Sequence, residues 1–376
     1  MRKAYIEEQR KKHGRKVLAV LPIQYPKELL TAMDVLAVEL WGPPGAPRGP
    51  AVGRLQSYVC AVARNALAFV AAGGAEVVDG FLYPHACDSL QGLATQIPDF
   101  GGSDKPAFHY LNPKGEARPS ARRFVVAELR SLAEKLETVT GKGLDEERLR
   151  WAIGLHREID GARRELLENR ARVSMNDPSL YELLRRGEWL WPEEHLAELR
   201  EAVGKKVKDK VVQKGVPLLV SGIVPEPMEI LNELSGMGAY VAADDYAAVG
   251  RRVVRKPLVE HADPFETLGW LMFAAPPCPT RTSSLPLRLD YLERLQRASG
   301  AQGVVIHTVK FCEPELFDVA GIKQHFTARG VPVLFLESEL EAELAGQTIT
   351  RLEAFVEMVG EQAARAGASD STRRAS

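Results

Sequence analysis

The 376-residue sequence holds only four cysteines, Cys60, Cys87, Cys278 and Cys312, and no two of them are set as Cys-x-x-Cys. That spacing argues against a zinc ribbon, a thioredoxin-like redox pair and a bacterial ferredoxin-type cluster run. So sparse a set is not the disulfide framework of a small secreted domain, and the cysteines are expected as free thiols or ligands. No stretch approaches ~18 uninterrupted apolar residues, and the charged start MRKAYIEEQRKKHGRK cannot be the apolar core of a secretory signal. A cytoplasmic protein with no membrane contact is expected. Charge of one sign is missing as well: 49 Lys and Arg face 50 Asp and Glu, so no global field invites nucleic acid. The loop GPPGAPRGPAVG (42–53) lacks the Gly-Lys-Ser/Thr ending that cradles phosphate, VTGKG (139–143) stands without the rest of that motif, and no G-x-G-x-x-G follows a strand. Neither ATP nor a dinucleotide has a cradle here, so any ATP is expected on another subunit. A G-x-S-x-G elbow and a short-period solenoid repeat are absent too.

What remains is alternation. VLAVLPI (17–23) and VLAVELW (35–41) read as strands buried on both faces, with PKELLTAM between them at helical spacing. LQSYVCAVARNALAFVAAGG reads as a helix ending at Gly73 and Gly74, then the strand VVDGFLY, then a helix from about Asp88. From about Ser120 to Arg172 the pattern is long amphipathic helix, with Asp145 as an N-cap. Past the charged stretch GKKVKDKVVQKG (204–215) the alternation resumes with PLLVSG, PMEILNELSGMG, AYVAADD, GVVIHTV, VPVLFLES and the helix TRLEAFVEMVGEQAARAG. At roughly 150 residues per domain the length implies two α/β units with parallel sheets. We divide the chain into an N-terminal α/β domain with a helical extension (1–210), a C-terminal α/β domain (211–367) and a disordered tail (368–376).

The two halves echo one another. GAEVVDGFLYPHACDSL and GAQGVVIHTVKFCEPEL both run Gly-Ala, strand, Cys, acid, helix. Cys87 and Cys312 thus fall at the carboxyl ends of strands, where open α/β sheets bind ligands and where a helix start favours thiolate. Against this stands the plain reading that a free cysteine is a small buried hydrophobe. Cys60 sits on an expected helix face with Leu55, Val59, Ala63 and Leu67, and taken alone reads as core; Cys278 lies in the Pro-flanked loop APPCPTRTSS with no assigned role. His85 and His307 neighbour the cysteines and read as core or supporting residues.

Beyond this point the chain resembles the 2-hydroxyacyl-CoA dehydratase and class I benzoyl-CoA reductase subunit family. The resemblance rests on PKELLTAMDVLAVELWG, LQSYVCAVAR, DGFLYPHACDSLQGL, SGIVPEPMEILNELSGMGAYVAADD, GVVIHTVKFCEPELFD and QTITRLEAFVEM, in family order over about residues 17–357. It implies two Rossmann-like domains with added helices, and a [4Fe–4S] cluster between them held by Cys60, Cys87 and Cys312, with Cys278 outside the pattern. Three thiolates on four irons leave one iron open for water or a substrate carbonyl, as a catalytic metal requires. The resemblance further implies a paralogous partner subunit and an ATP-hydrolysing iron–sulfur activator that injects one electron. An acyl-CoA substrate would then lose its 2-hydroxyl through a ketyl radical. In the family, substrate-binding members often carry a small hydroxyl residue in the first strand-to-helix turn, where this chain has Gln24 and Tyr25, and often a further cysteine or small polar group after VAADD, where this chain has Tyr246. For acid–base work the candidates are Glu39, expected with a raised pKa in an apolar strand, and His85; a structural role stands beside that reading for each. The rival readings are a benzoyl-CoA reductase-type subunit, a cluster-bearing electron-transfer partner without a substrate, and an α/β protein whose cysteines only pack.

Overall fold

The structure, a computed structural model, describes residues 2–46, 49–205 and 210–374, with side chains described to residue 365. Four of the eight strands among the described residues form a first parallel sheet within the following run of elements: α1 (Arg2–His13), β1 (Lys16–Val20), α2 (Lys27–Ala32), β2 (Val35–Glu39), α3 (Ala61–Ala71), β3 (Gly80–Pro84), α4 (Asp88–Gly101) and β4 (Ala107–Tyr110). The strand order is β2-β1-β3-β4. β1 is sealed on both faces: Val17, Leu18 and Val20 are fully buried, as a Val- and Leu-rich strand between two helical layers must be. The short strand β4, whose AFHY alternates exposed and buried, was not expected from the sequence.

Helices α5 (Pro119–Thr140), α6 (Glu146–Glu168), α7 (Asp177–Arg185) and α8 (Pro192–Gly204) follow. Asp145 caps α6 as expected, its carboxylate accepting the Glu147 N–H at 2.9 Å. Of the charged stretch 204–215, residues 206–209 lie outside the described residues.

The second sheet is built from β5 (Val216–Gly222), α9 (Glu229–Gly236), β6 (Ala239–Tyr246), α10 (Pro264–Ala274), α11 (Leu285–Ser299), β7 (Gly303–Val309), α12 (Glu313–Thr327) and β8 (Val333–Ser338). Its order, β6-β5-β7-β8, repeats that of the first sheet, so the echo read between the halves is an echo of topology. In both sheets the chain reverses direction beside the first-formed strand, between β1 and β3 and between β5 and β7. Gly222 closes β5 there, and a Cβ on it would lie 2.0 Å from the His307 carbonyl oxygen. Crevices at the carboxyl ends of strands at such reversals are where open α/β sheets take ligands. The last helix, α13 (Gly346–Arg374), runs through most of the 368–376 segment expected as a disordered tail, continuing from the alanine-rich turn before it; Ala375 and Ser376 lie outside the described residues. Among the described residues no helix is long and apolar enough to cross a membrane.

Candidate functional site

Three α-helices begin at cysteine, and Cys278 opens the short 3-10 turn Pro279–Arg281. Cys87 is the N-cap of α4 and Cys312 the N-cap of α12, each a few residues past the third strand of its sheet. Cys60 is the N-cap of α3, with extended backbone (φ −62°, ψ 153°). This corrects the expected helix from Leu55, which placed Cys60 on a helix face: Leu55 is extended, and the helix starts at Ala61. The entry is set by tertiary contact. Gly42, at φ +72°, passes so near α3 that a Cβ would lie 2.5 Å from the Val62 carbonyl oxygen, a close approach open only to glycine. Asn65 then ties α3 to the carbonyls of Pro43 and Leu340, both at 3.3 Å.

The three N-caps lie near enough to act on one another's charge, with Cys60 and Cys312 buried and Cys87 partly so. Burial pushes all three thiols up, Cys87 to about 12. After burial come Glu315 and then the other two thiols for Cys312, and Cys60 for Cys87, so ionised sulfurs at this place would repel one another. Opposing them are backbone N–H groups: Ala63 and Val62 at Cys60, Leu90 and Ser89 at Cys87, Glu315 at Cys312, with the Ser89 side chain also bonding to Cys60. Such groups favour thiolate at a helix start.

Three soft donors on separate helices, desolvated and mutually repelling when ionised, are of the donor chemistry that could hold a thiophilic metal group. Among the described residues no three His, Cys, Asp or Glu side chains converge as ligands of a single ion.

A lysine that no sequence motif marks stands beside them. Lys114 gives its ammonium hydrogens to the carbonyls of Ala86 (2.6 Å), Thr280 (2.8 Å) and His85 (3.4 Å), and the charges of Cys87, Asp88 and Cys278 act on it. Cys278, which also acts on Lys114, has partners of its own. It accepts the Arg251 guanidinium at 3.6 Å and pairs with the Thr280 hydroxyl at 3.0 Å.

The two acid–base candidates part company. Burial would raise Glu39, as expected, but the Arg252 guanidinium overrides it and its carboxyl lies below the usual range. Arg252 engages both oxygens, Tyr25 donates its hydroxyl at 2.8 Å and Trp41 its indole N–H at 2.8 Å. Its lone pairs are spent. His85 is partly exposed at the end of β3, and burial followed by Lys114 depresses its pKa. His307 is fully buried between the Tyr246 hydroxyl (3.0 Å) and Ser338 (2.9 Å), a core role as read. A carboxyl absent from the sequence-based candidates is Glu28, only 7% exposed, whose pKa burial raises. An acid in a helix first turn is so ordinary that nothing in PKELLTAM marks it.

Comparison with known proteins matches residues 22–359 to the family described as 2-hydroxyglutaryl-CoA dehydratase, D-component. The chain is 24% identical over 350 residues to the beta subunit of lactoyl-CoA dehydratase of Anaerotignum propionicum, covering 92% of each chain. It is 26% identical over 344 residues to a benzoyl-CoA reductase subunit of Thauera aromatica, covering 89% of this chain and 87% of that one. To the (R)-phenyllactyl-CoA dehydratase beta subunit of Clostridium sporogenes it is 22% identical, covering 94% and 95%.

Proposed function

The chain belongs to the 2-hydroxyglutaryl-CoA dehydratase D-component family, and from that premise we propose that it is the [4Fe–4S]-bearing subunit of an (R)-2-hydroxyacyl-CoA dehydratase. It is an enzyme component of the acyl-CoA dehydratase and benzoyl-CoA reductase kind, as its relatives' names state. Cys60, Cys87 and Cys312 would hold the cluster. When bound, the cluster would supply low-potential one-electron chemistry, with one iron left without a protein ligand. The electron would come from a separate ATP-hydrolysing activator, and a paralogous subunit would complete the assembly, in accord with relatives that are themselves beta subunits.

The chain's own part is preparation. Burial of the three sulfurs keeps water away, and the helix-start N–H groups favour their thiolates; hydrogen bonds to cluster sulfurs and local charge are the levers by which a protein tunes such a site. Lys114, fixed by backbone carbonyls, adds a positive charge beside Cys87. The single observation that supports the reading is that three cysteines far apart in sequence cap three α-helices and act on one another's charge.

The test is iron and sulfide content after anaerobic purification. Cys60→Ala, Cys87→Ala and Cys312→Ala should each strip or degrade the cluster, and Cys278→Ala should leave iron near the wild-type amount. Equal tolerance of all four substitutions would refute the ligand set. The benzoyl-CoA reductase reading keeps the same scaffold and is supported by the Thauera relative. Incubation with activator and either a 2-hydroxyacyl-CoA or an aromatic acyl-CoA separates the two by product.

A further inference from the structure

Where the helical extension meets the first sheet, a small cavity of about 40 Å³ lies between α2, β2, α6 and the turn leading into α8. Three cations line it: Lys27, Arg163 and Arg252. Two of them carry their own counter-charge, since Lys27 pairs with Asp160 at 3.5 Å and Arg252 with Glu39. Arg163 does not. Only 6% exposed, it makes no ion pair among the described residues; Nη2 donates to the Leu184 carbonyl at 3.2 Å, and the Nε–H is buried without a partner. Burial and then the charge of Arg252 depress its pKa, while Asp160 and Glu39 act in its favour from beyond ion-pair distance. A guanidinium stays charged in a protein, and a buried charge is costly unless it is paired.

No neighbouring side chain supplies the missing anion. His195 donates its Nε2–H to the Leu183 carbonyl at 3.1 Å. His156 donates its own to Thr31 Oγ1 at 2.9 Å, because the Thr31 hydroxyl hydrogen is already given to the Lys27 carbonyl. Burial holds both rings neutral, His195 depressed to about 3. Glu28, the carboxyl next to Lys27, is raised toward its neutral form by burial. The plain reading is that Arg163 only caps the end of α7, whose Leu183 and Leu184 carbonyls take up His195 and Arg163. That spends a single donor of the guanidinium and offers it only the partial charge of a helix end. The place beside Arg163 is also left open by the backbone: a Cβ on Gly187 would lie 2.5 Å from Arg163 Nη2 and 2.6 Å from His195 Nδ1. One water needs roughly 10–15 Å³ on this measure, so the cavity has room for about three waters, or for one small ion with water, and is too small for a nucleotide. We infer that this cavity binds a small monovalent anion of about the size of chloride, held by the Arg163 guanidinium beside Gly187 as the counter-charge that the chain itself lacks there. The site goes beyond the dehydratase reading and does not depend on it.

The test uses the full-length chain purified anaerobically, its thermal midpoint followed in sodium chloride and, at matched ionic strength, in sodium gluconate, whose anion is too bulky for the cavity. Chloride should raise the midpoint with the logarithm of its concentration, as a ligand of the folded state does, and gluconate should not. Arg163→Met keeps the bulk and removes the charge. It should lose the chloride response, so that the gap between wild type and variant is smallest in gluconate and widens with chloride. A crystal of the wild-type protein soaked in bromide gives a reading that does not require the variant to fold: anomalous scattering should place an ion beside Arg163 Nε. Equal midpoints in chloride and gluconate, a chloride response that Arg163→Met retains, or only water beside Arg163 in the bromide-soaked crystal would overturn the proposal. Bromide at that place with no chloride response in solution would mark an adventitious ion only, and would overturn it as well.

Discussion

Asp244, at the end of β6, accepts the backbone N–H groups of Tyr246 (3.0 Å) and Gly250 (2.6 Å) on one oxygen and the Tyr181 hydroxyl on the other. Burial outweighs these donors and pushes its carboxyl from 3.8 up to about 7. Its neighbour Asp245 behaves oppositely, because the Arg251 and Arg288 guanidiniums override burial there and keep it ionised. A carboxyl raised in the folded state holds a proton that the unfolded chain has already lost. Its stabilising effect is complete below about pH 4 and disappears as pH rises through about 7, a change on the order of a few kcal/mol. Asp244→Asn, which cannot ionise, should flatten this part of the curve. The difference between wild-type and variant urea-unfolding free energies at pH 4.5 and pH 7.5 measures it, and parallel curves would show that Asp244 ionises normally. The same contrast of neighbours explains why Glu39 departs from expectation. In the sequence it is a carboxylate in an apolar strand and so reads as raised; its partner Arg252 comes from more than two hundred residues away, and no local pattern announces such a pair.

At the scale of helices and strands, what could be read was what local chemistry decides. Asp145 opens α6 because its side chain satisfies an orphan N–H, and Asp145→Ala should cost about 1 kcal/mol in chemical denaturation with no change in iron content. The strands of both sheets were legible because burial on two faces writes a continuous apolar run, whereas β4, an edge strand of four residues with one exposed face, writes almost nothing. The periodicity places the start of α3 six residues early. Leu55 and Val59 continue the helical spacing backward from Ala63, yet the chain there makes turns, since Gly42 and Asn65 fix where the helix begins. The difference matters for the site. On a helix face Cys60 looks like core, and only at the N-cap does it join Cys87 and Cys312 as a third sulfur over a helix start. Two of the three positions were thus readable from the repeated strand-Cys-acid pattern, and the third needed the family resemblance.

Across the whole molecule, the proposed cluster draws two ligands from the first half and one from the second, so whatever fastens the halves together also holds the site. One buried fastening is Arg252 on Glu39, the acid fully buried and the guanidinium also lying over the Trp41 ring at 5.6 Å. Arg64 with Glu339 and Gln24 with Thr280 add further crossings. A buried pair of this kind is not in itself a large source of stability, because the desolvation of two charges offsets most of their attraction, but removing one partner strands the other. Arg252→Leu and Glu39→Leu should therefore each destabilise by roughly 3–5 kcal/mol, while the double variant should lose clearly less than the sum. If the pair also sets the spacing of Cys312 against Cys60 and Cys87, the single variants should lower the iron retained after anaerobic gel filtration. The double variant should recover part of it. Additive losses in stability would mean that Glu39 and Arg252 act separately, and unchanged iron in a destabilised single variant would mean that the thiols are held by their own half-domains rather than by this clamp.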